Sequence, residues 1–212
     1  MFDQHADAQD IVLDGTEVRQ RTLKNSIECD GVGLHSGAKI KMLLKPAAAN
    51  AGIRFIRTDV AAADAVIPAR WDRVRDTRLC SLLANDAGVT VGTVEHLMAA
   101  LAGCGIDNLD IELNGGEVPV MDGSSQPFVA LIEQVGVVDQ DAPRRVIKIL
   151  KRVEVGFGAG HVALSPADMQ IFDFEIDFES EVVSRQKISL PVVNGAFCKE
   201  LAKARTFGFL HE

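Results

Sequence analysis

The chain has 212 residues, enough for one large domain or two small ones, and its 47% hydrophobic and 25% charged residues suit a globular protein with a full core. A formal net charge of −8 excludes the basic footprint that nonspecific nucleic-acid binding needs, so no nucleic-acid partner is expected. Cys29, Cys80, Cys104 and Cys198 stand far apart with no C-x-x-C, which excludes a zinc knuckle or redox motif and fits free thiols in a reducing cytosol. No run reaches the roughly 18 apolar residues of a membrane-spanning helix, and the start Met1-Phe2-Asp3-Gln4 is acidic where a signal peptide is basic. The expectation is a cytoplasmic protein with no integral membrane segment.

Residues 1–18 are polar and acidic without a sustained period and read as a poorly ordered extension. Structure is expected from Arg19. Gly31-Val32-Gly33-Leu34-His35-Ser36-Gly37 is a glycine-bracketed turn, in which His35 is either a solvated loop side chain or part of a site. Lys39 to Lys45 then alternates, with Ile40, Met42 and Leu44 on one face, and Ile53 to Arg57 is a short strand after a small-residue connection. Trp71, Arg73, Arg75 and Arg78 follow; the arginines either line an anionic ligand or form surface ion pairs. Asn108 to Leu113 alternates as a strand. Pro127 stands near the first position of a helix that puts Phe128, Leu131, Ile132 and Val135 on one face and ends at Gly136.

Asp139 to Pro143 is polar and is the candidate linker between a first unit, 19–138, and a second, 139–212. Val146 to Val155 and His161 to Leu164 read as strands, and Phe172 to Phe178 alternates apolar against acidic, which predicts one buried and one wet face. Asn194 is a candidate cap for a helix carrying Phe197, Leu201 and Ala204 on one face. The second unit has one helix to cover its strands where the first has two, so it reads as incomplete.

The organising stretch is Gly92-Thr93-Val94-Glu95-His96-Leu97-Met98-Ala99-Ala100-Leu101-Ala102-Gly103. Thr93 is the expected N-cap and Gly103 the residue that ends the helix without a Cβ penalty. Glu95 and His96 then fall in the first turn, where the macrodipole favours a carboxylate and leaves an imidazole its lone pair for a metal. The remainder is apolar or small, so the helix is expected to be buried nearly all round with its polar end facing a cavity, ligand or water. Ala100 occupies i+4 from His96, which rules out the two-histidine zinc helix; any metal on His96 needs ligands from elsewhere. On these residues alone, a capped core helix with a hydrogen-bonded histidine competes with a site.

Several motifs in order resemble the zinc-dependent deacetylases that act on UDP-3-O-acyl-N-acetylglucosamine early in lipid A synthesis in Gram-negative bacteria. They are Arg21-Thr22-Leu23-Lys24, the 31–37 turn, Asp76-Thr77-Arg78-Leu79-Cys80, Thr93-Val94-Glu95-His96-Leu97, Met121-Asp122-Gly123-Ser124 and Ala204-Arg205-Thr206-Phe207-Gly208-Phe209. The resemblance implies an α+β fold of two similar sandwich domains with helices packed between two sheets, the second domain incomplete here. It implies Zn2+ as cofactor with His96 as a ligand, Glu95 as general base and Thr206 as donor to the developing oxyanion. Phe207 would pack on the UDP-sugar acyl substrate, with His35 and Cys80 near the pocket and 180–191 walling an acyl passage. The complete protein is expected to be a monomer.

The family also draws a histidine and an aspartate ligand from a His-Lys-x-x-Asp helix, and no such sequence occurs in these 212 residues. The chain is therefore expected to be a fragment of such an enzyme. The alternative is a catalytically inactive relic or substrate-binding module of the same fold, and a purely structural contact protein would leave Glu95 and His96 at a helix mouth unexplained.

Overall fold

The computed structural model describes residues 9–10, 12–13, 16–192 and 195–208. Its centre is a five-stranded sheet in the order Ile27–Val32, Lys39–Pro46, Leu109–Leu113, Ile53–Arg57, Val66–Pro68. Leu109–Leu113 runs antiparallel to Lys39–Pro46 and parallel to Ile53–Arg57. The alternation of the sequence fixes which face is inward: Ile40, Met42, Leu44, Phe55, Ile67, Leu109, Ile111 and Leu113 are all buried. On the outer face Arg54 donates twice to Asp110 at 2.7 Å, and Lys45 donates to Glu112 at 2.8 Å, so the charged positions pair across strands.

Two helices complete this core. Helix α1 is Glu95–Gly103 and helix α2 is Gln126–Val135, with Pro127 in the first turn where its missing N–H costs nothing. Leu97, Ala100 and Leu101 of α1 and Phe128, Val129 and Ile132 of α2 join the inward face of the sheet in one cluster. At the end of α2, Gly136 takes φ +75° and its N–H donates to the Ile132 carbonyl at 2.9 Å, as its place in the sequence predicts. Burial of α1 is less complete than its composition suggests. Met98 and Ala99 are half-buried and Ala102 is exposed, so the buried positions form a stripe. Both ends of α1 also differ from expectation. Val94 precedes the helix with no side-chain cap, Thr93 having turned away, and the left-handed residue after it is Gly105 at φ +70°.

Gly103 has a packing role instead. A Cβ there would lie 2.0 Å from the Phe197 ring, so the missing side chain lets the Phe197–Leu201 turn seat against α1. The thiols of Cys104 and Cys198 meet at the same contact, and burial together with Cys198 pushes the Cys104 thiol up to about 12. The Phe197–Leu201 segment is a short π-type turn preceded by Ala196; the proposed cap Asn194 lies outside the described residues.

A three-stranded sheet of Thr90–Val91, Leu82–Ala84 and Val74–Asp76 leads into α1. Residues 139–143, read as a linker, belong to a strand, Val137–Pro143, that pairs antiparallel with Arg19–Leu23. The alternating apolar residues Val137 and Leu23 pack on the core there, which a count of polar residues does not register. Part of the 1–18 stretch lies outside the described residues; within it Gln9–Asp10 pairs with Arg145–Val146, and Val12–Leu13 with Thr16–Glu17. The segment expected as one strand from Val146 is divided, Arg145–Val146 and Val153–Phe157 being separate strands.

The last strands form two hairpins, Val153–Phe157 with Gly160–Leu164 and Ile171–Asp177 with Arg185–Pro191. Every residue of Ile171–Asp177 is exposed, Phe174 by 51%, so the expected buried face is not buried within the described residues. Alternation sets which side chains share a face, and here Phe172 and Phe174 stack at 5.8 Å; burial needs a second layer. The molecule is thus α+β, with one closed core and two open hairpins. Among the described residues no helix is long and apolar enough to cross a membrane.

Candidate active site at the mouth of helix α1

The approach to α1 is held by backbone. Gly92 N–H donates to the Gly116 carbonyl at 2.9 Å, and Val118 N–H donates to the Gly92 carbonyl at 3.0 Å, a parallel bridge between Gly92 and Glu117. A side chain at Gly92 would meet Leu82 at 3.3 Å and the Cys80 sulfur at 3.7 Å, which places Cys80 beside the helix mouth. Thr93 follows at φ +55°, a left-handed conformation that a β-branched residue adopts only under constraint.

That constraint is Glu117, which the sequence reading did not single out. Glu117 is 5% exposed and its carboxylate accepts four hydrogen bonds. Oε1 accepts the Thr93 hydroxyl at 2.9 Å and the His35 N–H at 3.0 Å; Oε2 accepts the Ser36 N–H at 3.0 Å and the Ser36 hydroxyl at 2.8 Å. Burial raises its pKa, but the hydrogen bonds from His35, Ser36 and Thr93 outweigh burial and leave it below the ordinary glutamate value. A Cβ at Gly33 would come within 2.4 Å of the Glu117 carboxylate, so the glycine-bracketed turn is built to admit it. Acids in a Gly-Gly-Glu-Val-Pro loop usually face water; the apolar Val118 and Pro119 beside it were the available signal.

Glu95 lies in the first turn of α1, half-buried, and its Oε2 accepts the Ser81 N–H at 2.9 Å. This fixes the carboxylate toward the segment that carries Cys80. Next to it the His96 carbonyl accepts the Ser125 hydroxyl at 2.9 Å, joining α1 to the start of α2. The His96 ring nitrogen Nδ1 is buried with no hydrogen-bond partner among the described residues. Buried polar atoms are almost always paired, so this nitrogen stands out as one whose hydrogen-bonding capacity the described residues leave unmet. Among the described residues no group of three His, Cys, Asp or Glu side chains gathers to hold a metal, so His96 is one donor and not a complete metal site.

The other candidates are His35, Thr206 and Phe207. His35 is exposed on its turn and reaches the site through its backbone N–H on Glu117. Thr206 and Phe207 are exposed near the end of the chain; the Thr206 hydroxyl donates to the Phe207 carbonyl at 3.5 Å, and the Phe207 ring meets Phe178 edge-to-face at 5.2 Å. Arg205 ties this segment to the first unit by donating to Asp122 Oδ2 at 2.9 Å, while Asp122 Oδ1 accepts the Ser124 N–H and hydroxyl. Among the described residues no hydrogen bond joins Thr206 to Glu95 or His96, so the structure gathers Glu95, His96, Cys80 and the His35 turn more closely than it gathers Thr206. Three of the four arginines of 70–78 pair with carboxylates: Arg70 with Asp72, Arg73 with Asp86 and Arg78 with Asp76.

A helix mouth with an anchored carboxylate beside an imidazole nitrogen that has no partner among the described residues gives the features of a candidate hydrolase on an α+β scaffold. Residues 20–212 match the profile of the UDP-3-O-acyl N-acetylglycosamine deacetylase family, and the chain belongs to that family. It is 45% identical over 195 residues to the UDP-3-O-acyl-N-acetylglucosamine deacetylase of Shewanella violacea, covering 91% of this chain and 63% of that protein. It is 48% identical over 193 residues to the deacetylase of the same name from Phenylobacterium zucineum, covering 91% of this chain and 66% of that protein. For Myxococcus xanthus the identity is 49% over 193 residues, covering 91% and 61%. The chain thus spans somewhat less than two thirds of the length of most of these relatives.

Proposed function

We propose that this chain carries part of the active site of a zinc-dependent deacetylase, which hydrolyses the N-acetyl group of UDP-3-O-acyl-N-acetylglucosamine to acetate and the free amine in cytoplasmic lipid A synthesis. Family membership supports the reaction class, and the observation that carries the site is the unpaired, buried Nδ1 of His96 beside an anchored Glu95. In this reading Glu95 is the general base. Its Oε2 is occupied by the Ser81 N–H, which leaves the other oxygen to accept a proton from the attacking water and return it to the leaving nitrogen. Thr206, on the segment that Arg205 ties to Asp122, donates its hydroxyl to the oxyanion. Phe207 packs against the substrate, and Cys80 and the His35 turn border its pocket. Zinc, as a Lewis acid, would polarise the acetyl carbonyl. His96 is the ligand this chain offers; a catalytic zinc takes three protein ligands, so the described residues do not form the site by themselves.

The test is incubation of the full native protein with UDP-3-O-acyl-N-acetylglucosamine, with acetate and free amine quantified together. Equal amounts of the two are expected. Binding of the UDP-sugar with no acetate at any zinc concentration would reject the reading and favour a substrate-binding module.

A further inference from the structure

Glu117 stands at the crossing of the segments that supply the site, and none of its four hydrogen bonds goes to a residue assigned a chemical role through its side chain. Two come from the turn that carries His35, through the amides of His35 and Ser36, and a third from the Ser36 hydroxyl. The fourth comes from Thr93, two residues before Glu95. Thr93 sits at φ +55°, where a β-branched side chain is strained, so its backbone needs an external hold to stay there. Thr93 immediately precedes Val94, whose carbonyl accepts the hydrogen bond from Met98 N–H at 2.9 Å that opens α1. The carboxylate of a residue this buried needs its lone pairs met by donors, and here the donors come from both sides of the mouth.

We propose that Glu117 is a positioning residue: its buried carboxylate clamps the His35 turn to Thr93, and so fixes the substrate-binding turn relative to the general base at the start of α1. The role rests on the deacetylase reading for its kinetic consequence and on hydrogen bonding alone for its structural one. The two ends of the clamp act on different steps. Thr93 controls the approach of Glu95 to the reacting water, so loosening it lowers kcat. Ser36 controls the His35 turn that borders the substrate, so loosening it raises KM.

The experiment uses the full native protein and three substitutions. Thr93→Val, which removes the hydroxyl at nearly constant shape, is expected to lower kcat on the order of tenfold with KM kept, the scale of one lost hydrogen bond to a charged group. Ser36→Ala is expected to raise KM by a similar factor with kcat kept. Glu117→Gln, which cannot accept from all four donors, is expected to lose on the order of a hundredfold in kcat/KM, as a misplaced site does. Amide exchange at His35 and Ser36 should quicken in Glu117→Gln while the amides of Leu97 to Leu101 keep their protection. If Glu117→Gln does not fold, the split between the Thr93 and Ser36 variants still decides. Variants that shift only the unfolding midpoint, with neither kinetic constant changed, would overturn the proposal, as would unchanged exchange at His35 and Ser36. Should the native protein release no acetate, the deacetylase reading fails, and the exchange measurement alone then decides whether Glu117 is the clamp.

Discussion

Asp122 shows how single side chains join the site to the chain's last segment. The hydrogen bond from Arg205, followed by those from Ser124, holds its carboxyl down to about 2, against an ordinary value of about 3.9. A carboxyl whose folded value is depressed contributes its full tie above the unfolded value and loses it as pH falls through the folded one. The Arg205 tether is therefore expected to be intact at pH 5 and to release between about pH 4 and 2, read as faster amide exchange at 205–208 before the core opens. Release of that segment already at pH 5 would contradict the tie. At this scale the sequence was readable where placement is local, as at Glu95 and His96, which fall in the first turn of α1. It was unreadable where a role depends on partners distant in sequence. Glu117 takes its donors from residues 81 and more positions away in the 35–36 turn, and Thr93, expected as a cap, is instead turned to meet it.

Among elements, period 2 and period 3.6 made three strands of the central sheet and α2 legible, because both bury one face against the same core, while the edge strands Ile27–Val32 and Val66–Pro68 were not read. In the final hairpins three of the four strands were legible, Arg185–Pro191 was not, and Ile171–Asp177 was misread as half-buried, since alternation cannot say whether a covering layer is present. Gly103 was read as a helix terminator and is a docking point. Gly103→Ala would push a methyl into the Phe197 ring, and overpacking of this kind costs about 1–3 kcal/mol. Denaturant titration should show that loss, and Phe197→Ala combined with Gly103→Ala should recover part of it, since the two effects share one contact. Strict additivity would mean that the Phe197–Leu201 turn does not rest on α1.

For the whole molecule, the count of donors decides what these residues can do alone. A single imidazole leaves zinc mostly hydrated, and drafting Glu95 as a ligand would remove the base. Dialysis against zinc followed by elemental analysis is expected to leave the 212-residue chain with less than one equivalent, and the chain alone with no measurable deacetylation; tight stoichiometric zinc would mean that ligands within these residues have gone unrecognised. The central claim, that Glu95 works as the base and His96 as the ligand, is tested most directly by measuring acetate release and bound zinc in parallel on the full native protein and its Glu95→Ala variant. A base contributes to the transition state without holding metal, so the rate should fall on the order of 10²- to 10⁴-fold while zinc content stays at the wild-type level. Equal loss of rate and zinc would contradict it, and would make Glu95 a ligand instead.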